Sequence, residues 1–161
     1  MSNSAQVIRP PNTLRLKVGG GFGGIDANAI AKAEEALKAM SAQFGQWLQD
    51  EIVKLDAAQV AIREKGFTPE TAEGLYFRAH DLKGLGATYE FPLITRLAGS
   101  LCRLVEEPST RIAAPAALID AHIAAIRASL RDNVRTDEDP TVKALAAGLE
   151  ASVIRFAPQD A

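Results

Sequence analysis

The residues best suited to chemistry lie in FRAHDLKGLGATYEF, residues 77–91, where His80 is followed by Lys83, Gly84 and Gly86. Histidine has an unperturbed pKa of about 6.5, so near neutral pH it is largely a neutral nucleophile. A ring nitrogen of that kind accepts a phosphoryl group, and a lysine one helical turn away offsets part of the incoming negative charge. The pair suits reversible phosphoryl carriage. Glycine inside a helix costs about 1 kcal/mol relative to alanine, so Gly84 and Gly86 together weaken this turn by roughly 2 kcal/mol. Something must compensate.

A helical projection at about 100° per residue separates the two glycines. With His80 as origin, Leu75, Ala79, Leu82, Gly86 and Tyr89 gather on the opposite, core-facing side. Glu73, Tyr76, Phe77, Lys83, Gly84 and Ala87 fall within about 60° of the histidine, which places His80 at the centre of the solvent face. Gly86 is then expected to admit a neighbouring helix, whereas Gly84 leaves room beside an exposed imidazole for an external partner. Tyr76, Phe77, Ala87 and Phe91 are the expected docking patch, apolar groups flanking a reactive polar centre. His122, the other histidine, has no comparable motif and is expected to be structural or simply exposed.

The elements that position these residues all read as helix. From Asp26, apolar residues recur at helical spacing through Ile30, Ala33, Leu37, Met40, Phe44, Trp47, Leu48, Ile52, Leu55 and Ile62, one long helix or two stacked ones with a kink at Gly45. Thr68 and Pro69 open the histidine helix as cap and first helical residue, and it runs to near Tyr89. Pro92 forces Phe91 out of helical geometry, so a corner precedes the stripe Leu93, Ile94, Leu97, Leu101, Leu104 and Val105. An alanine-rich helix with Leu118, Ile119, Ile123, Ile126 and Leu130 follows. TDEDP caps a last one carrying Val142, Leu145, Leu149, Val153 and Ile154.

Short connections between amphipathic helices favour antiparallel neighbours. The expected fold class is all-α: an up-and-down antiparallel four-helix bundle with an additional C-terminal helix and a flexible N-terminal arm. The arm is residues 1–25 and the single domain residues 26–157, with the bundle core over 26–134 and the extra helix over 140–157. Leu14, Leu16 and Val18 alternate like one short strand, but with no partner strand. GGGFGG in the arm lacks the Lys-Ser/Thr of a phosphate-cradling loop and reads as tail.

Composition narrows the function classes. At 161 residues, 47% apolar and 24% charged, with a formal net charge of −2, the chain suits one globular domain and carries no nucleic-acid footprint. One cysteine and two histidines build neither a disulfide framework nor a cysteine zinc cluster. With no apolar signal core near the N-terminus and no window approaching a membrane span, a cytoplasmic protein is expected.

The segment AHDLKG resembles the histidine-containing phosphotransfer (HPt) family of bacterial two-component phosphorelays, whose His-x-x-Lys-Gly pattern His80, Lys83 and Gly84 match. ATYEFPLI is similar to the continuation in chemotaxis-kinase phosphotransfer domains, with Glu90 where a glycine is common, and LCRLVE resembles the family's next helix. The motif core covers His80 to Glu106, and the bundle reading extends the similarity over most of residues 26–134. The resemblance implies an HPt four-helix bundle in which His80 is the phosphoacceptor, Lys83 supports the phosphoryl group and Gly84 permits close approach of a receiver domain.

The implied partners are a response-regulator receiver domain, a hybrid histidine kinase, or both. The receiver would supply the aspartate and Mg2+, so this chain needs no cofactor, and the carrier would be a monomer without autokinase activity, nucleic acid or membrane. Relatives orient the histidine through a carboxylate or amide on the next helix; Cys102 stands near that place, Glu106 lies further along, and the orienting group stays unassigned. Two other readings remain open. HDLK also resembles the phosphoacceptor helix of dimeric histidine kinases, although Leu85 stands where a proline is usual and only 77 residues, mostly helical in pattern, follow Gly84. A non-catalytic helical adaptor would use the Tyr76 and Phe77 patch without phosphorylation.

Overall fold

The structure is a computed structural model that describes residues 26–156. Among these, the regular elements are five α-helices and one 3-10 turn, and the protein is an all-helical bundle: α1 Ala27–Lys65, α2 Pro69–Thr88, α3 Pro92–Leu104, the 3-10 turn Arg111–Ala113, α4 Ala116–Arg131 and α5 Pro140–Phe156. The alternating segment Leu14 to Val18, GGGFGG and the expected N-terminal arm lie outside the described residues. No described helix is long and apolar enough to cross a membrane.

Local chemistry sets the helix ends. Thr68 caps α2 through a reciprocal box with Thr71, each side chain accepting from the other's backbone N–H, and Pro69 follows where its missing N–H costs nothing. Asp139 plays the capping role for α5, its carboxylate accepting from the backbone of Thr141 at 2.8 Å and Val142 at 3.3 Å. At the far end of α2, Phe91 N–H bonds Gly86 O at 2.8 Å and Glu90 N–H bonds Ala87 O at 3.1 Å, the paired closure that requires a left-handed residue between them. Glu90 takes that conformation, at φ 66°, which a glycine adopts without strain. Its carboxylate meets Arg135 at 3.0 Å, a partly exposed pair worth up to about 1 kcal/mol that offsets much of the backbone cost.

The chain divides into two compact units at Ala39/Met40, although α1 is one unbroken helix with no break at Gly45. Residues 26–40 are exposed throughout, Ile30, Leu37 and Met40 among them. The first turns of the expected bundle core are thus exposed, since helical apolar spacing reports amphipathicity and not burial. In the second unit Leu48, Ile52 and Leu55 of α1 share a buried cluster with Leu75, Ala79 and Leu82 of α2, Ile94, Ala98 and Leu101 of α3, and Ile119, Ile123 and Ile126 of α4. Each such leucine or isoleucine contributes on the order of 2 kcal/mol by leaving water.

Contacts between the helices show opposed directions. Phe44 stacks on Tyr89 at the end of α2, with ring centroids 5.3 Å apart, while Asp56 and Arg63 of α1 meet Arg127 and Asp120 of α4. Gly86 abuts Thr95 and Gly99 abuts Lys83, so α2 and α3 also run oppositely. α5 packs on α3 and α4 and is tied down by Arg96, which bonds Glu150 at 2.7 and 2.8 Å and Asp137 at 2.6 Å. Leu145 and Ile154, expected in its apolar stripe, are exposed because Ala146, Leu149 and Val153 form the face turned inward.

Candidate functional site

Along α2 the burial alternates as a helix between core and water requires. Ala72, Leu75, Ala79, Leu82 and Gly86 are buried, while His80, Lys83, Gly84 and Ala87 are exposed. A cleft of about 300 Å³ opens beside His80. Tyr76, His80 and Lys83 line it from α2; Gly99, Cys102, Arg103 and Glu106 line it from α3 and the residues just after it.

The two glycines differ in what surrounds them. A Cβ on Gly86 would stand 2.6 Å from Thr95 Oγ1 and 2.7 Å from Thr95 N, whereas one on Gly84 would meet nothing within 4 Å. Room at Gly86 lets Thr95 enter the backbone of α2. Its hydroxyl accepts from Ala87 N–H at 2.7 Å and donates to Lys83 O at 3.0 Å, bridging the groups that an uninterrupted helix would bond directly. The glycine cost at this turn is thus offset by a hydroxyl bridge between α2 and α3.

Lys83 is directed by the same packing. Its Cγ, Cδ and Cε lie 3.8–4.0 Å from the position a Cβ on Gly99 would take, so its stem runs across the small residue of α3 while its ammonium lines the cleft. Tyr76 is half-buried and its ring faces that of His80, with centroids 6.0 Å apart and planes at 42°. On Tyr76 also rests Arg111, its guanidinium carbon 5.5 Å from the ring centroid. Arg111 is itself buried and donates to Glu106 O at 2.8 Å.

Cys102 competes poorly as a nucleophile. Burial pushes its thiol pKa up from the ordinary value, so the thiol stays protonated. The neighbouring Cys102 first, and burial second, raise the Tyr76 hydroxyl in turn. Among the described residues no three His, Cys, Asp or Glu side chains gather as metal ligands. Within the cleft His80 shares the lining with the cations Lys83 and Arg103.

The sequence-predicted site is therefore gathered in part. His80, Lys83, Gly84, Ala87 and Phe77 share the exposed face, with Phe77 54% exposed. Phe91 does not join them: it is 2% exposed, packed in the core with the Arg135 guanidinium 4.6 Å from its ring centroid. Its place in the docking patch is corrected, because the turn before Pro92 points the side chain inward and Arg135 closes over it. Arg103 was missed. The signal for it was the spacing of Gly99, Cys102, Arg103 and Glu106 at i, i+3, i+4 and i+7, which puts them on one side of a helix.

Cys102 and Glu106, the candidates for orienting the imidazole, both reach the cleft, yet no hydrogen bond to the His80 ring is present among the described residues. Comparisons of this chain with protein-family models, curated proteins and solved structures find no match. What the site does rests on its own geometry.

Proposed function

We propose that this chain is a histidine phosphotransfer protein, an HPt-type up-and-down four-helix bundle that carries a phosphoryl group on His80 between a receiver domain or hybrid histidine kinase and a response-regulator aspartate. The supporting observation is an exposed imidazole at the rim of an open cleft, with a lysine lining that cleft and a glycine beside the imidazole that has open space around it. A neutral ring nitrogen attacks phosphorus, Lys83 offsets charge on the transferring group, and Gly84 keeps the approach of the receiver clear. Tyr76, Phe77 and Ala87 form the apolar surround on which the receiver settles. Mg2+ belongs to the receiver's aspartate site in this reading.

The test is incubation with a phosphorylated receiver or kinase, comparing wild type with His80→Gln. Acid-labile label on the wild type and none on the variant supports the carrier. Equal labelling of both sinks the assignment of His80. Binding to a receiver without any label on the wild type would instead favour the adaptor reading, which the exposed Phe77 alone supports.

A further inference from the structure

The cleft beside His80 holds a second cation that lies outside the His-x-x-Lys-Gly pattern. Arg103, half-buried, lines it from α3 while Lys83 lines it from α2. Elsewhere among the described residues Arg63, Arg78, Arg96, Arg127, Arg131 and Arg135 are each ion-paired, while Arg111 rests on Tyr76 and the Glu106 carbonyl and Arg155 on the Ser152 hydroxyl. Neither Arg103 nor Lys83 pairs with a carboxylate among the described residues, although Glu106 lines the same cleft. Two like charges lining one concave site repel each other, and an anion held between them relieves that repulsion.

Resting on the reading of His80 as phosphoacceptor, we propose that Arg103 is a second catalytic residue, which holds the phosphoryl group from α3 while Lys83 holds it from α2. In the transfer, the unprotonated nitrogen of the neutral His80 ring forms the N–P bond as the bond from phosphorus to the receiver's aspartyl oxygen breaks. The electron pair leaves with the aspartate as carboxylate, and the proton stays on the other ring nitrogen, giving a phosphorylated imidazolium. The charge in flight is spread over the phosphoryl oxygens. A planar guanidinium spans two of them, and the lysine acts as a point charge.

Phosphoramidate tests this because it delivers a phosphoryl group without a protein surface to dock: its P–N bond breaks as the His80 N–P bond forms, and ammonia leaves. Loading of His80 is followed by phosphorus NMR on the full chain, with circular dichroism to confirm that each variant is folded. Arg103→Gln is expected to load about tenfold more slowly than wild type, and Arg103→Lys to recover part of the rate. Wild-type loading of Arg103→Gln overturns the assignment and leaves His80 as carrier, since Arg103 would then not touch the transferring group. A loss that Arg103→Lys does not recover at all also overturns it. Equal loading of wild type and His80→Gln overturns the carrier reading itself, and the role of Arg103 with it.

Discussion

The two histidines stand on helices that flank α3, and α3 treats them oppositely. Towards α4 it offers Ser100, whose hydroxyl is 2.9 Å from His122 Nε2, while His122 Nδ1 lies 2.7 Å from Leu118 O. A carbonyl only accepts, so Nδ1 carries the proton and Nε2 accepts from the serine; both ring nitrogens are occupied and the side chain is fully buried. Towards α2 the same helix offers Gly99, Cys102 and Arg103, which leave the ring of His80 exposed at a cleft. One imidazole is a structural bridge, and the other, with no hydrogen bond to its ring among the described residues, is the proposed phosphoacceptor. Residue type does not distinguish them; saturation of the ring nitrogens does.

The largest effect that would break this contrast is on transfer. His80→Gln is expected to remove acid-labile labelling while unfolding in urea at the wild-type midpoint, because the side chain it replaces is exposed and packs little. His122→Ala should do the reverse, losing about 2–4 kcal/mol of stability through a cavity and the stranded Ser100 and Leu118 partners, with the folded fraction still labelled at His80. If urea unfolding found His122→Ala neutral, the structural role would be wrong.

The glycines sharpen the contrast at smaller cost. Gly86→Ala should destabilise by about 1–3 kcal/mol, since its Cβ meets Thr95 backbone and hydroxyl together, and would disturb the bridge between Lys83 and Ala87. Gly84→Gln should instead raise stability by up to about 1 kcal/mol through helix propensity and slow transfer from a receiver. A Gly84→Gln protein that exchanges phosphoryl groups with a receiver at the wild-type rate would remove the case for close approach.

The smallest effect concerns pH. Burial lowers the His122 pKa below its ordinary 6.5, so the folded state holds the ring neutral where the unfolded chain already protonates it. The unfolded state then binds more protons, and stability rises with pH across that window. The contribution is complete above about 6.5 and is lost progressively as pH falls from there towards the depressed folded value. Urea midpoints measured from pH 7.5 to 5 should therefore fall on acidification, and the slope should flatten in His122→Asn.

Much of this was legible in the chain. Period 3.6 identified α2 and the core side of Leu75, Ala79 and Leu82, and the same projection divided Gly84 from Gly86 as packing later does. Thr68, Pro69 and Pro92 mark their boundaries by chemistry that acts over three or four residues. Apolar spacing misled where it has no partner to report on: Ile30, Leu37 and Met40 continue the stripe of α1 into water. Phe91 misled in the opposite sense, because nothing near it in sequence announces Arg135 above its ring.

The sequence by itself determined the helices, their inward faces and the exposure of His80 beside Lys83 and Gly84, since each follows from backbone period and capping within a turn or two. Only the tertiary structure decided that Thr95 enters the backbone of α2 and that Cys102, Arg103 and Glu106 form the far wall of the cleft. It also decided that His122 is saturated by Ser100. Those contacts join residues on different helices, and the packing of many side chains sets which faces meet.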